Sequence, residues 1–275
     1  MEIKFSYPHW GSSHLSLEEF ITKVKDAGYN GVEMNIPFDE AYSSLLRSLL
    51  KKHKVSLIAQ QWLPPEKEKV EDYCKKMEKY LYHLASFQPV FINSHTGKDY
   101  YSFEENCKIF ELAQKVSEET GIKIIHETHR GRALYSTSAS KSYFQKFPEL
   151  RINADFSHWC CVSESLLQEQ EDFMNEAIQR SDYLHARVGS EESPQVNHPK
   201  AKENEKALKA HLGWWKKIIL NAMKSGANEF WICTEFGPEP YLQTLPFTNL
   251  PVANQWEINL FMKKLVEKEL VKLTK

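Results

Sequence analysis

The sequence is short of the features that mark several large protein classes. It has five cysteines, Cys74, Cys107, Cys160, Cys161 and Cys233. The number is odd, two are adjacent and no CxxC pair occurs, which argues against a disulfide framework or a zinc ribbon. Charge of one sign is also lacking. The 35 Lys+Arg stand against 37 Asp+Glu, a net charge of −2, so there is no gross electrostatic footprint for nucleic acid or an anionic membrane. No apolar run approaches the ~20 residues of a membrane span. The opening segment MEIKFSYPHWG lacks the long apolar region of a signal peptide, and a reducing, cytoplasmic setting is the expectation. No Pro/Gly/Ser-rich linker divides the chain, so one domain over residues 1–275 is expected. Hydrophobic residues make up 41% and charged residues 26% of the 275, enough for a sizeable core and against disorder.

Short runs rich in Val, Ile, Phe and Tyr recur at even spacing. They predict eight strands, near Ile3–Tyr7, Gly31–Asn35, Val55–Gln60, Val90–Ser94, Lys123–Glu127, Arg151–Asp155, Tyr183–Arg187 and Phe230–Glu235. Segments of helical period lie between them. Leu17, Phe20, Ile21 and Val24 form one stripe behind a Ser16/Glu19 capping box. Phe103, Cys107, Phe110, Ala113 and Val116 form another behind Ser102/Glu105. Trp214, Trp215, Ile218, Ile219 and Ala222 mark a third, and Trp256, Leu260, Phe261 and Leu265 a fourth. Strand then helix, eight times over, predicts an α/β fold with a parallel sheet. About 250 residues is typical of eight such units closed into a (β/α)8 TIM barrel. A doubly wound open sheet is the alternative, but YPHWGSSH after the first strand is not its Gly-rich phosphate turn. Two loops are long for a barrel, Gly189–Ala201 and Phe236–Val252.

The strand ends carry the chemistry. Strands two to eight finish on Glu33, Gln60, His95, Glu127, Asp155, His185 and Glu235. Buried parallel strands are otherwise mostly apolar, and the C-terminal strand ends form the active face of a barrel. Period-two alternation puts His185 and Arg187 on one face and turns Leu184 and Ala186 to the helices. It turns Asp155 and Glu235 inward and His126 outward. Glu127, Asp155, His185 and Glu235 therefore converge from four consecutive strands ~4.8 Å apart. Three carboxylates and one imidazole suit one divalent cation, Mn, Mg or Zn. His158, three residues after Asp155, is read as a ligand or a substrate contact. Glu33 and Gln60 are read as substrate contacts or hydrogen-bonding groups of the mouth, and Trp10 and Trp159 as sugar-stacking rings or core caps. Trp214 and Trp215 read as helix packing, Cys160 and Cys161 as buried filler, and the terminal VEKELVKLTK as a solvated helix face.

The motifs GYNGVEM, INSHTG, HETHRGR, NADFSHWCCV, LHARVG followed by PQV, and TEFGP together resemble the xylose isomerase-like barrels, a superfamily of sugar isomerases and epimerases. The resemblance spans essentially the whole chain. It implies that Glu127, Asp155, His185 and Glu235 bind one divalent metal, that Glu127 and Glu235 act as an acid/base pair, and that His158 contacts substrate. His129 stands where xylose isomerase proper has a lysine, and Ala133 near a second glutamate of the ketose 3-epimerases. Endonuclease IV, a nuclease of the same superfamily, has an Asp-x-His pair for which only His198 is available.

The expected function is a metal-dependent isomerase or epimerase acting on a small sugar, sugar phosphate or sugar acid through an enediolate. Trp10, Glu33, Gln60, His95, His129, Arg132, Arg187 and Gln195 are the expected substrate-binding residues, beside the catalytic Glu127, Glu235 and His158. The cluster of His129, Arg130, Arg132 and Arg187 predicts an anionic substrate, with Gln195 and His198 folding over it. A metal-dependent hydrolase of phosphodiesters, a glycosidase, and a non-catalytic sugar-binding barrel are the alternatives. No nucleic-acid or membrane partner is expected, and a homo-oligomer is allowed.

Overall fold

Eight strands of alternating or fully apolar sequence meet as neighbours in chain order and close on themselves. They are β1 (Glu2–Pro8), β2 (Gly31–Met34), β3 (Ser56–Gln61), β4 (Ile92–Ser94), β5 (Ile124–Glu127), β6 (Ile152–Ala154), β7 (Ser181–His185) and β8 (Glu229–Cys233). Every pair is parallel, and β1 pairs with β8 to complete the barrel. The computed structural model describes residues 1–270 and 273. The TIM-barrel expectation is met, and the open-sheet alternative is excluded by closure.

Crossover helices wrap the barrel: α1 (Leu17–Asp26), α2 (Glu40–His53), α3 (Val70–Ala85), α4 (Phe103–Thr120), α5 (Thr137–Lys146), α6 (Phe156–Ser163), α7 (Glu171–Arg180), α8 (Glu205–Lys224) and α9 (Gln255–Leu270). The capping boxes form as the sequence requires. Ser16 and Ser102 accept from the backbones of Glu19 and Glu105, and both glutamates reach back. The stripe residues of α1, Leu17, Phe20, Ile21 and Val24, are all buried. α6 has no counterpart among the eight expected units. It is a short helix at the mouth that begins directly after Asp155.

Two apolar regions result. The larger lies between barrel and helices and takes Leu184, Ala186, Ile152, Ala154 and Ile232. The smaller fills the barrel's interior with Ile58, Phe91, Ile125, Tyr183, Trp231 and Cys233. Gly31 is required beside it, because a Cβ there would stand 2.8 Å from the Trp231 ring and 2.9 Å from the Ser56 carbonyl oxygen. Trp159 is wholly buried and donates from Nε1 to the Leu134 carbonyl at 2.9 Å, a core role rather than a sugar platform. Trp215 is buried, and Trp214 packs edge-on to Phe156. In the Lys-rich terminal segment, Val266 and Leu270 are core residues and not part of a wholly solvated face. The share of that expectation at residues 271, 272, 274 and 275 lies outside the described residues. No helix among the described residues is long and apolar enough to cross a membrane.

His211 on α8 gives a test of the packing. It is fully buried, its Nδ1 is 2.9 Å from the Ala207 carbonyl oxygen, and its Nε2 accepts from the Gly189 N–H at 3.4 Å. That pairing holds a neutral ring, and burial lowers its pKa from 6.5 to about 4. The unfolded chain then takes up a proton near pH 6.5 that the folded chain refuses until about pH 4. Stability contributed by the neutral ring is complete above the unfolded value and is lost as pH falls towards the folded one. Denaturant titrations should show the native protein losing about 2 kcal/mol more than His211→Gln between pH 7 and pH 5. Equal losses would contradict this placement of the ring.

Candidate active site

Strand ends and the loops just beyond them build the site. Glu127 closes β5 and His185 closes β7, whereas Asp155, Glu235 and Arg187 sit one to two residues past their strands. The alternation that puts Tyr183, Trp231 and Ile125 inside the barrel continues upward to His185, Glu235 and Glu127. The interior thus changes from apolar to ionisable towards the mouth. Glu127, Asp155, His185 and Glu235 each bring one ligand-type atom within 4.8 Å of the others, and all four are buried.

His185 is oriented from both sides. Its Nε2 lies 3.0 Å from Glu33 Oε2. Its Nδ1 faces Glu235 at 2.8 Å, Asp155 at 3.6 Å and Glu127 at 3.8 Å. Glu33 also accepts from the Tyr183 hydroxyl at 2.5 Å and from Asn93 Nδ2 at 2.7 Å. Glu33 therefore sits beneath the cluster as the partner of His185, not among the substrate contacts. A carboxylate on the far nitrogen is the usual support of a metal-ligating histidine.

The electrostatics are those of crowded carboxylates around two cations. Burial opposes the charge on Glu33, Glu127 and Asp155, but the facing His185, His95 and Arg187 hold all three carboxyls below their ordinary values. For Glu235 burial prevails over His185 and Arg187, and its carboxyl is raised. The surrounding carboxylates overcome burial at His185 and lift its pKa well above 6.5. Arg187 bridges the group. Its Nη2 bonds Asp155 Oδ2 and donates to His158 Nε2 at 2.6 Å, and its Nη1 is 3.4 Å from Glu235.

The donor set fits a divalent cation. Glu127 Oε1 is buried with no hydrogen-bond partner, and Glu235 Oε2 and His185 Nδ1, also buried, make no well-aligned hydrogen bond and face each other as an ion pair at 2.8 Å. An unpartnered carboxylate oxygen in a dry interior is costly, and its convergence with two further carboxylates and an imidazole matches the donor chemistry of a bound divalent ion. A second group, His95, Glu127 and His129, also brings its ligand-type atoms within 4.8 Å of one another. His95 Nε2 is 3.0 Å from Glu127 Oε2.

Above the cluster opens a cleft of about 520 Å³, lined by Trp10, Gln60, His95, Glu127, His129, Arg187 and Glu235, among others. It brings together most of the expected substrate-binding residues. Glu33, Arg132 and Gln195 are placed elsewhere or otherwise occupied, as are His158 and His198. Arg132 is buried and donates through Nη2 to the Leu63 carbonyl at 3.1 Å, so it holds a loop rather than the cleft. Gln195 spends both ends of its amide on Gly237, donating to its carbonyl at 3.1 Å and accepting from its N–H at 2.7 Å. That clasp ties the two long loops together. It holds Gly237 against Trp10, whose ring a Cβ would meet at 2.1 Å. His158 is fully buried beneath His129, ring centroids 3.9 Å apart, and it braces Arg187 outside the cleft lining. His198 packs against Phe261 of α9 instead of folding over the mouth. His126 lies on the helix side against Phe110, bonded to Thr96 Oγ1 at 2.6 Å.

Sequence reasoning missed two rings. Tyr241, on the loop after β8, lines the cleft, packs edge-on to Trp10 at 5.0 Å and lies 5.0 Å from the Arg187 guanidinium. Trp62, just past β3, forms the opposite wall. Both are in loops without a periodic pattern, where only an isolated aromatic beside Pro240 or Pro64 was available as a signal.

No protein-family model matches the sequence, and a comparison with curated proteins finds no match. Solved structures do match over almost the full chain. A probable 3-DHS dehydratase (AsbF) of Bacillus anthracis is 15% identical with a TM-score of 0.64, covering 96% of this chain and 98% of its own. D-psicose 3-epimerase of Clostridium cellulolyticum H10 is 11% identical with a TM-score of 0.63, covering 97% and 99%. A xylose isomerase domain containing protein of Salmonella typhimurium LT2 is 15% identical with a TM-score of 0.62, covering 97% of both chains. In fold, the chain is a TIM barrel similar to these structures.

Proposed function

We propose that the protein is a divalent-metal-dependent isomerase or epimerase of a small carbohydrate. The observation that carries this reading is the buried set Glu127, Asp155, His185 and Glu235, whose ligand-type atoms converge and of which Glu127 and Glu235 line the cleft. The similarity to an enzyme described as a D-psicose 3-epimerase is consistent with it. The four residues would hold the ion, which when bound acts as a Lewis acid towards a carbonyl-bearing substrate and acidifies the adjacent C–H.

The chain's own groups do the rest. Glu127 and Glu235 both line the cleft, from strands three apart around the barrel. One carboxylate takes the proton from the carbon beside the carbonyl, and the electron pair moves into an enediolate. The other carboxyl returns a proton to the opposite face. Arg187 holds Asp155 and Glu235 in place and favours their ionised forms. Gln60, His95 and His129 offer hydrogen bonds to substrate hydroxyls, while Trp10, Trp62 and Tyr241 wall the cleft from water.

Two of the arginines behind the expectation of an anionic substrate are already engaged. Arg187 is engaged by Asp155 and Glu235, and Arg132 by the Leu63 carbonyl. These pairings favour a neutral polyhydroxy compound as substrate. His198 packs against Phe261, which leaves the endonuclease IV-like alternative without a counterpart of its Asp-x-His pair.

Chelator-treated protein, assayed on a panel of ketoses, aldoses and glycosides, should lose interconversion activity and regain it with Mn²⁺ or Mg²⁺. Chelator-insensitive release of free sugar from glycosides would replace this reading with a hydrolytic one.

A further inference from the structure

A second cleft, of about 650 Å³, adjoins the first and shares His9, Asn35 and Trp62 with it. Either volume alone falls within the roughly 300–1,000 Å³ of a small-molecule site, so the mouth holds more than one small ring. The second cleft is lined by the aromatic rings of Phe38, Tyr42, Trp62 and Tyr80, with Lys76 and Lys79 beside them. Phe38 is 59% exposed and Trp62 39%.

Both exposed rings sit on loops fastened by other parts of the chain. The Phe38 loop is held at three places. The Ile36 N–H donates to the Tyr80 hydroxyl at 3.0 Å, His83 Nε2 donates to the Pro37 carbonyl at 3.1 Å, and Asp39 Oδ1 accepts from the Tyr42 N–H at 2.7 Å. Beneath it the Phe38 ring lies against His83 at 4.4 Å and Tyr80 at 5.6 Å. The Trp62 loop has no regular structure from Trp62 to Lys69. Buried Arg132 and Lys98 donate to the consecutive carbonyls of Leu63 and Pro64, at 3.1 and 3.3 Å. The hydroxyls of Tyr100 and Tyr101 donate to the carbonyls of Glu66 and Glu68. Burying two cations under one loop is unfavourable, and burial lowers the Lys98 pKa from 10.5 to about 8. The two buried cations thus fix the loop that carries Trp62, and ordinary hydrogen bonds fix the loop that carries Phe38, so that both exposed rings stand beside the reaction cleft.

We infer that this second cleft is a subsite for another sugar ring, and that the substrate is a glycoside of two or more rings rather than a free monosaccharide. The inference rests on the carbohydrate reading of the first cleft. A pyranose has one C–H face that packs on an aromatic ring and a rim of hydroxyls that needs donors. Phe38 and Trp62 supply the faces, and Lys79, whose Nζ lies 5.0 Å from the Phe38 ring centroid, supplies a donor, while Lys76 is paired with Glu66 and Glu68. Continuity through Trp62 lets one ligand place its reacting ring over Glu127 and Glu235 and its second ring beside Phe38.

Calorimetric titration tests this without turnover. Hexoses and the disaccharides that contain them are titrated against the native protein and against Phe38→Ala, whose side chain lines only the second cleft. At least one disaccharide should bind native protein about tenfold tighter than its component hexose, and Phe38→Ala should remove that advantage while leaving hexose binding unchanged. Trp62→Ala should weaken both ligands, because it walls both clefts. If no disaccharide outbinds its hexose, or if Phe38→Ala weakens both alike, the subsite is overturned. An aryl glycoside that outbinds every disaccharide would also overturn it, in favour of an aromatic aglycone. Failure of the isomerase reading is seen separately, as tight sugar binding with no interconversion.

Discussion

Glu127→Gln and Glu235→Gln should each lower turnover by ~10²–10⁴ while keeping bound metal. Glutamine retains an oxygen in place of the carboxylate but cannot accept the substrate proton. Both residues line the cleft above the barrel's apolar interior, so the substitutions leave the packing of Ile58, Phe91 and Trp231 untouched. Steady-state rates and metal content measured on the same preparations separate a lost base from a lost ion. Two variants with near-native turnover would remove these glutamates from the proton path.

Arg187→Met should destabilise metal-free protein by about 3–5 kcal/mol, the usual cost of removing one partner from a buried ion pair. Arg187 is 1% exposed and is the cation that Asp155 and Glu235 share. Without it, three carboxylates face one imidazole in a dry interior, and some must protonate. A divalent ion among the same carboxylates replaces much of the missing charge. Denaturant unfolding should therefore show a large deficit in chelator and a clearly smaller one in Mn²⁺. A deficit that metal leaves unchanged would mean that the ion does not bind beside Arg187.

The barrel was legible because parallel strands repeat one grammar. Val, Ile and Phe runs gave all eight strands within two residues at every end, and Ser16 and Ser102 marked helix starts where side-chain caps form. Alternation turned Glu127, Asp155, His185 and Glu235 inward without knowledge of any loop. It did not separate depth along the barrel. Glu33 is at the same kind of strand end as Glu127, yet Tyr183 and Asn93 claim it from below. Loop side chains were harder still. Arg132 and Gln195 look like free polar groups in sequence, and only the fold reveals the backbone carbonyls of Leu63 and Gly237 that occupy them. Tyr241 reaches the cleft because Gln195 clasps the neighbouring Gly237, a contact across 42 residues that no local pattern encodes.

The central claim is proton transfer by Glu127 and Glu235 at a metal-loaded cleft. The most direct measurement is turnover in heavy water, with the product examined by NMR at the carbon that changes configuration or at the neighbour of the migrating carbonyl. Solvent deuterium is expected at that carbon, with ~10²–10⁴-fold less deuterated product from Glu127→Gln or Glu235→Gln over the same time. Product formed at the native rate with no solvent deuterium would show direct hydrogen migration within the substrate and contradict the account.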